Sequence, residues 1–139
     1  MVQYNRRRRD YDGSYSSHSH SSQSGDKESR AVNISHSADF HALHGDYDKA
    51  LRLYHEAIDL WPYNPVFWNN AALCYTLKGD YHTALYYINK AIALTLCNGS
   101  LILAQMDSIE DALSYIDIAS KFAPDSKEFK FFLDAIMGE

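Results

Sequence analysis

The order of apolar and polar residues predicts a chain of α-helices joined by short turns. Between residues 45 and 94, apolar residues recur at steps of three and four, the spacing that places them on one face of a helix. The three successive stripes are Ala50, Leu53, Tyr54, Ala57 and Leu60, then Trp68, Ala71, Ala72 and Tyr75, then Ala84, Tyr87, Ile88 and Ala91. Glycine, aspartate, asparagine and proline separate the stripes, and these residues begin and end helices.

One turn sequence occurs twice. The residues Gly-Asp-Tyr-Asp-Lys-Ala that begin at Gly45 return as Gly-Asp-Tyr-His-Thr-Ala at Gly79, which gives a period of 34 residues. In each copy the glycine can end a helix in the left-handed conformation, and the following aspartate can cap the next helix. Asn64-Pro65 predicts a cap and a first turn in the same way. A period of this length is typical of stacked helix–turn–helix units.

These residues resemble the tetratricopeptide repeat family. The matching positions are Gly45, Tyr47, Ala50, Tyr54, Ala57 and Pro62 in one unit, and Trp68, Ala72, Tyr75, Gly79, Tyr81, Ala84 and Ala91 in the next. The resemblance covers roughly residues 31–126 and is specific over 45–94. It implies an all-α fold, a short right-handed α-solenoid of antiparallel helix pairs with a C-terminal capping helix. The first helix of each pair would line a concave groove.

The resemblance also divides the chain. The predicted parts are a disordered tail at 1–30 and a repeat domain at 31–139, made of repeat one (31–64), repeat two (65–98), a shortened repeat three (99–126) and a capping helix (126–139). Repeat three is short because Ala84 and Ala112 are 28 residues apart, and Asn98-Gly99 is a turn signal. We therefore predict only about two helical turns at 100–106.

Two pairs of residues have the spacing of a capping box and predict the starts of the last two helices. They are Asp107 with Glu110 and Asp125 with Glu128. Arrays of this kind generally need three or more repeats. An array this short and interrupted predicts marginal stability as a monomer, or self-association through the face left open around residues 98–106.

The charge is unevenly distributed. The net charge is −5, but residues 1–30 carry six basic and four acidic residues, whereas residues 31–139 carry seven and fourteen. The acidic repeat domain disfavours nucleic acid as its partner. No apolar run approaches the length of a membrane span, so we expect no membrane contact. We expect a cytoplasmic protein, with the nucleus as the alternative.

The tail has its own candidate signal. Residues 14–29 hold eight serines and almost no aliphatic residue, a composition typical of disorder. The basic run is Arg6, Arg7, Arg8 and Arg9. It can be a solvated patch, a nuclear import signal or an arm that contacts nucleic acid. The last reading gives one alternative function, a nucleic-acid-associated protein that acts through the tail.

The predicted function is a non-enzymatic interaction module or adaptor that binds a peptide or a helix in the concave groove. The groove candidates are Ser35, Asp39, Val66, Asn69, Asn70, Leu73, Thr76 and Leu77. An apolar floor with amide groups suits an extended peptide or an amphipathic helix. The simpler interpretation is that Leu73 and Leu77 pack against a neighbouring helix.

A second alternative is a co-chaperone that binds the C-terminal tail of a chaperone. In the family, two lysines, two asparagines and an arginine form the carboxylate clamp for such tails. Only Asn70 matches here, because Ser35 and Asp39 replace the first lysine and asparagine, and Ser100 and Ala104 align with the remaining lysine and arginine. Asp39 would repel a carboxylate, which disfavours this alternative.

No catalytic, metal or cofactor site is expected. The sequence has no glycine-rich phosphate loop and no nucleophile elbow. His36, His41 and His44 lack the converging ligands of a zinc site. Cys74 and Cys97 are read as reduced thiols, and Cys74 as a small core residue.

Overall fold

The computed structural model describes residues 23–138, and over this range the chain is all-α without a β-strand. The helices are α1 (Gln23–Leu43), α2 (Tyr47–Leu60), α3 (Pro65–Lys78), α4 (Tyr81–Gln105), α5 (Ile109–Phe122) and α6 (Phe129–Met137). The prediction of an all-α chain is confirmed. Residues 1–22, which are the larger part of the tail predicted at 1–30 and include its arginine run, lie outside this range.

The predicted helix ends of the two repeated turns are confirmed. The carboxylates of Asp46 and Asp80 each accept the backbone N–H three residues further on, at 3.3 and 3.4 Å. The side-chain oxygen of Asn64 caps α3 in the same way and accepts the backbone N–H of Val66 at 3.0 Å. Gly45 and Gly79 have φ values of 81° and 86°, the left-handed conformation that closes the preceding helix. These turns fold as expected because the residues that determine them are local.

The predicted turn at Asn98-Gly99 is wrong, because α4 continues through it as one helix. Cys97 and Ser100 on either side are fully buried, so helix packing outweighs the local turn tendency. A Cβ at Gly99 would lie 3.3 Å from the ring of Tyr115. The glycine therefore allows α5 to approach α4 closely. Residues 100–105 are the last part of α4, not a separate short helix.

Three predicted boundaries are also wrong. Helix α1 begins at Gln23, so residues 23–30 belong to it and not to the tail. Asp107 has a φ of 63° in the turn after α4, and Ser108 takes the cap position of α5. Helix α6 is preceded by Glu128 and not capped by Asp125. Neither Ser108 nor Glu128 makes a side-chain capping bond, so the capping-box spacing was misleading at both places.

Consecutive helices pack against each other from α1 to α5, α1 also touches α3, and α6 packs on α4 and α5. The small residues of the predicted stripes lie at these contacts. Those that are buried are Ala50, Ala57, Ala71, Ala72, Ala84, Ala91, Ala112 and Ala119. Small side chains let helix axes approach, and Tyr54, Phe67, Leu94 and Phe132 fill the space between them. The prediction of Cys74 as a small core residue is confirmed, since it is 1% exposed.

Helix α4 is long and apolar enough to cross a membrane by length and composition, with a mean hydropathy of 1.2 over 18 residues. The indication is weak, because core helices meet the same criteria and 33% of that window is buried inside the domain. The expectation that no apolar run approaches this length is wrong for α4. It failed because the predicted turn at Asn98-Gly99 divided the run.

Candidate functional site: an apolar trough along α3

Helix α3 is held by contacts on two sides. Phe67, Ala71 and Cys74 are buried among residues of α1 and α2. On the other side the ring of Trp68 lies 5.2 Å from the ring of Tyr87 on α4, measured between centroids. The indole N–H of Trp68 donates to the carbonyl of Pro62 at 3.1 Å, which fixes the start of the helix. One face of α3 therefore remains uncovered.

The uncovered face of α3 is apolar and uncharged. Its apolar members, Val66, Leu73 and Leu77, are 54–58% exposed. Asn69 and Asn70 lie on the same face and add amide groups. We call this face and the two cavities beside it the trough. Contiguous apolar surface of this kind marks an interaction site more often than scattered single side chains do.

The α1–α3 cavity lies on one side of this face. Its volume is about 360 Å³, and it is lined by Asp39, Ala42, Leu43, Tyr54, Asn70, Leu73, Cys74 and Leu77. The α3–α4 cavity lies on the other side. Its volume is about 460 Å³, and it is lined by Pro65, Val66, Asn69, Ile88, Ala91, Ile92, Thr95 and Leu96. Both cavities have the size of ordinary ligand pockets.

Six of the eight predicted groove residues line these cavities. They are Asp39, Asn70, Leu73 and Leu77 in the α1–α3 cavity, and Val66 and Asn69 in the α3–α4 cavity. The other two do not. Ser35 is buried and donates to the carbonyl of Val32 at 2.7 Å. Thr76 donates to the carbonyl of Ala72 at 2.9 Å. Both hydroxyls are thus bonded within their own helices.

Asp39 supplies the only carboxylate among the residues that line the two cavities. The phenol of Tyr54 on α2 donates to it, which holds the carboxylate in place. Burial, together with this hydrogen bond and the negative charge of Asp39, raises the pKa of Tyr54 well above its usual value of 10. Tyr54 therefore remains a donor at physiological pH. The helical stripe that contains Tyr54 gives no sign of this contact, because the contact joins residues fifteen positions apart.

Neither the Cys74 thiol nor the serines at two of the carboxylate-clamp positions provide a reactive or charged group. Burial, and secondarily the charge of Asp39, raises the pKa of Cys74, so this cysteine remains a thiol. Ser35 and Ser100, at two of the clamp positions, are buried. Within residues 23–138 no group of three or more possible metal ligands is found. The trough is thus suited to recognition by apolar contact, amide hydrogen bonds and one fixed carboxylate.

Comparison with known proteins does not extend this description. No family model matches the chain, and no match is found among curated proteins.

Proposed function

We propose that this chain is a protein-interaction module of the tetratricopeptide type, and that its trough binds a segment of another protein without carrying out a reaction. In this proposal the helices form a short right-handed solenoid of antiparallel pairs, with α6 as its cap. The resemblance over residues 45–94 and the contact between α1 and α3 support the arrangement. A solenoid of this kind places the first helix of each pair along a shared concave surface.

The observation that carries the proposal is the uncharged apolar face of α3 between two cavities. A bound segment that inserts one apolar side chain beside Leu73 and Leu77 would bury both leucines. Asn70 offers a donor and an acceptor to the backbone of that segment. Asp39 favours a basic or neutral residue near its carboxylate. An extended peptide or an amphipathic helix with an apolar anchor meets these requirements.

The test begins with a displayed library of random peptides selected on the full chain. Leu73→Glu and Leu77→Glu should each weaken the selected peptides at least about tenfold, because each places a charge where an apolar anchor is buried. Fluorescence anisotropy with one labelled peptide gives the affinities. Both leucines are more than half exposed, so circular dichroism should show that the variants keep the wild-type helix content.

Leu113→Glu is the matched control. Leu113 is an exposed leucine on α5, outside both cavities of the trough, and the substitution adds the same charge. Its affinity for the peptide should equal that of the wild type. Equal loss in Leu113→Glu and Leu73→Glu, or no loss in either leucine variant on α3, would overturn the proposal.

A further inference from the structure

Asp39 is a partly buried carboxylate without a cationic partner. Residues 23–138 hold three partly buried carboxylates, those of Asp39, Glu128 and Asp134. Glu128 and Asp134 each pair with a lysine, at 3.3 and 3.0 Å, whereas Asp39 forms no ion pair within this range. Removing a charge from water is costly unless an opposite charge or hydrogen bonds compensate for it. A cation from outside residues 23–138 would therefore complete this site.

One oxygen of the Asp39 carboxylate is available in the α1–α3 cavity. The phenol of Tyr54 donates to Oδ1, and Oδ2 accepts no hydrogen bond from the part of the chain that the structure describes. The other residues that line this cavity are uncharged, and Leu73 and Leu77 supply much of its apolar surface. A guanidinium can therefore donate to Oδ2 while an apolar side chain of the same segment rests against the two leucines.

The N-terminal segment of this chain, residues 1–22, carries both features. Its charged residues are the four arginines at residues 6–9 and two aspartates, which gives a net charge of +2. Tyr4 precedes Arg6 by two positions. In an extended peptide, side chains two positions apart point to the same side and are about 6–7 Å apart. A tyrosine and an arginine of this segment can thus enter one cavity together.

The distance between the segment and Asp39 suits such binding. Helix α1 begins at Gln23, and the 1.5 Å rise per residue places Asp39 about 24 Å further along the same helix. The arginines at residues 6–9 lie 14–17 positions before Gln23. A serine-rich segment of that length has an expected root-mean-square span of about 19–25 Å. The effective concentration of a tethered ligand is highest, in the millimolar range, when the span of its linker matches the distance to be bridged.

We propose that the N-terminal segment binds in the α1–α3 cavity of the trough on its own chain. In the bound state an arginine of residues 6–9 pairs with Asp39, and Tyr4 rests against Leu73 and Leu77. The inference rests on the proposed function, because the segment then competes with a peptide from another protein for the same trough. At a millimolar effective concentration, an intrinsic dissociation constant of about 0.1 mM would fill about nine tenths of the troughs and lower the affinity for that peptide about tenfold.

Paramagnetic broadening of amide signals in the full chain tests where the segment binds. A nitroxide on Asn5→Cys should broaden the signals of Asp39 and Leu73, and the further change Asp39→Asn should remove most of this broadening. This change keeps an oxygen that can accept from Tyr54, so circular dichroism should show unchanged helix content. A nitroxide on Ser22→Cys, beside the first residue of α1, is the control and should broaden signals at that end of the helix instead.

Three outcomes of this measurement would overturn the proposal. They are no broadening at Asp39 and Leu73, broadening there that survives Asp39→Asn, and equal broadening when the nitroxide and the observed amides are on different copies of the chain. The last outcome would assign the segment to the trough of a second copy. Labelling of Cys74 and Cys97 should be slight, since both are buried.

A competition experiment separates this proposal from the proposed function. Replacing the four arginines at residues 6–9 by serine should raise the affinity for an uncharged selected peptide about tenfold, measured by fluorescence anisotropy. The matched control replaces four serines by alanine, at Ser16, Ser17, Ser21 and Ser22, and should leave the affinity unchanged. If the arginine variant and the wild type bind the peptide equally, this proposal fails and the proposed function stands. If no peptide binds either chain although the broadening at Asp39 is present, the proposed function alone fails.

Discussion

Replacing Phe132 by alanine is expected to lower the free energy of unfolding by about 3–5 kcal/mol. Phe132 is 1% exposed and belongs to the core cluster that α6 shares with α4 and α5. Its removal would leave a cavity that flanking helices can fill only in part. Because small domains are stable by roughly 5–15 kcal/mol, this single change should remove much of the stability. Urea unfolding followed by circular dichroism measures the effect.

The adjacent Phe131 provides the control. It lies on the same helix but is 49% exposed, with its ring stacked on Tyr63 at 4.7 Å between centroids. Phe131→Ala should cost less than about 2 kcal/mol, since it loses the ring contacts with Tyr63 and Phe132 but little burial. Similar losses of stability for the two variants would mean that α6 does not pack on α4 and α5 through the face that carries Phe132.

Replacing Lys90 by alanine is the second change expected to have a large effect, again about 3–5 kcal/mol. The Lys90 ammonium lies 3.3 Å from the Glu128 carboxylate, and their side chains are 8% and 17% exposed. It also donates to Ser126 and lies over the ring of Trp68. Without it a mostly buried carboxylate would lose its opposite charge. Urea unfolding should show the loss.

Lys121→Ala is the control for this second variant, because Lys121 pairs with Asp117 on the surface, where both side chains are more than 70% exposed. It should change stability by less than about 1 kcal/mol. A double variant, Lys90→Met/Glu128→Gln, should recover much of what Lys90→Ala loses, since no unpaired buried charge remains. If Lys90→Ala loses as little stability as Lys121→Ala, the ion pair between Lys90 and Glu128 does not hold the start of α6 to α4.

The ion pair between Lys90 and Glu128 also predicts how the stability of the domain depends on pH. Burial acts to raise the pKa of Glu128, but hydrogen bonds from Ser126 and its own backbone N–H, with the charge of Lys90, outweigh burial and lower it below 4.5. The stability from this carboxylate is therefore present above pH 4.5 and is lost as the pH falls below that value. Glu128→Gln should lose less stability than the wild type on acidification to about pH 3. Equal slopes would contradict the lowered pKa.

The helix ends that could be predicted are those determined by neighbouring residues. Asp46, Asp80 and Asn64 cap the backbone within three positions of themselves, so the sequence alone specifies them. Asn98-Gly99 has an equally clear local signal, yet it lies inside α4, where the ring of Tyr115 on α5 packs against Gly99. That packing joins distant parts of the chain and leaves no local trace.

In the candidate site, too, the features set by local helical spacing could be predicted and those set by packing between helices could not. The exposed face of α3 followed from helical spacing once its buried stripe was recognised. Ser35 was misplaced because the first helix lacks a clear apolar stripe from which its register could be read. The contact between Tyr54 and Asp39 depends on how α1 and α2 are aligned. The full length of α4 was missed because the predicted turn at Asn98-Gly99 divided this helix into two parts.

The central claim is that the trough along α3 binds a segment of another protein. Nuclear magnetic resonance mapping of backbone amides, with a labelled full chain and a peptide selected from the displayed library, tests it most directly. The account predicts that the largest shift changes fall on Asn70, Leu73 and Leu77 of α3 and on Asp39 and Leu43 of α1. Changes confined to the outer face of α5, around Leu113, would contradict it.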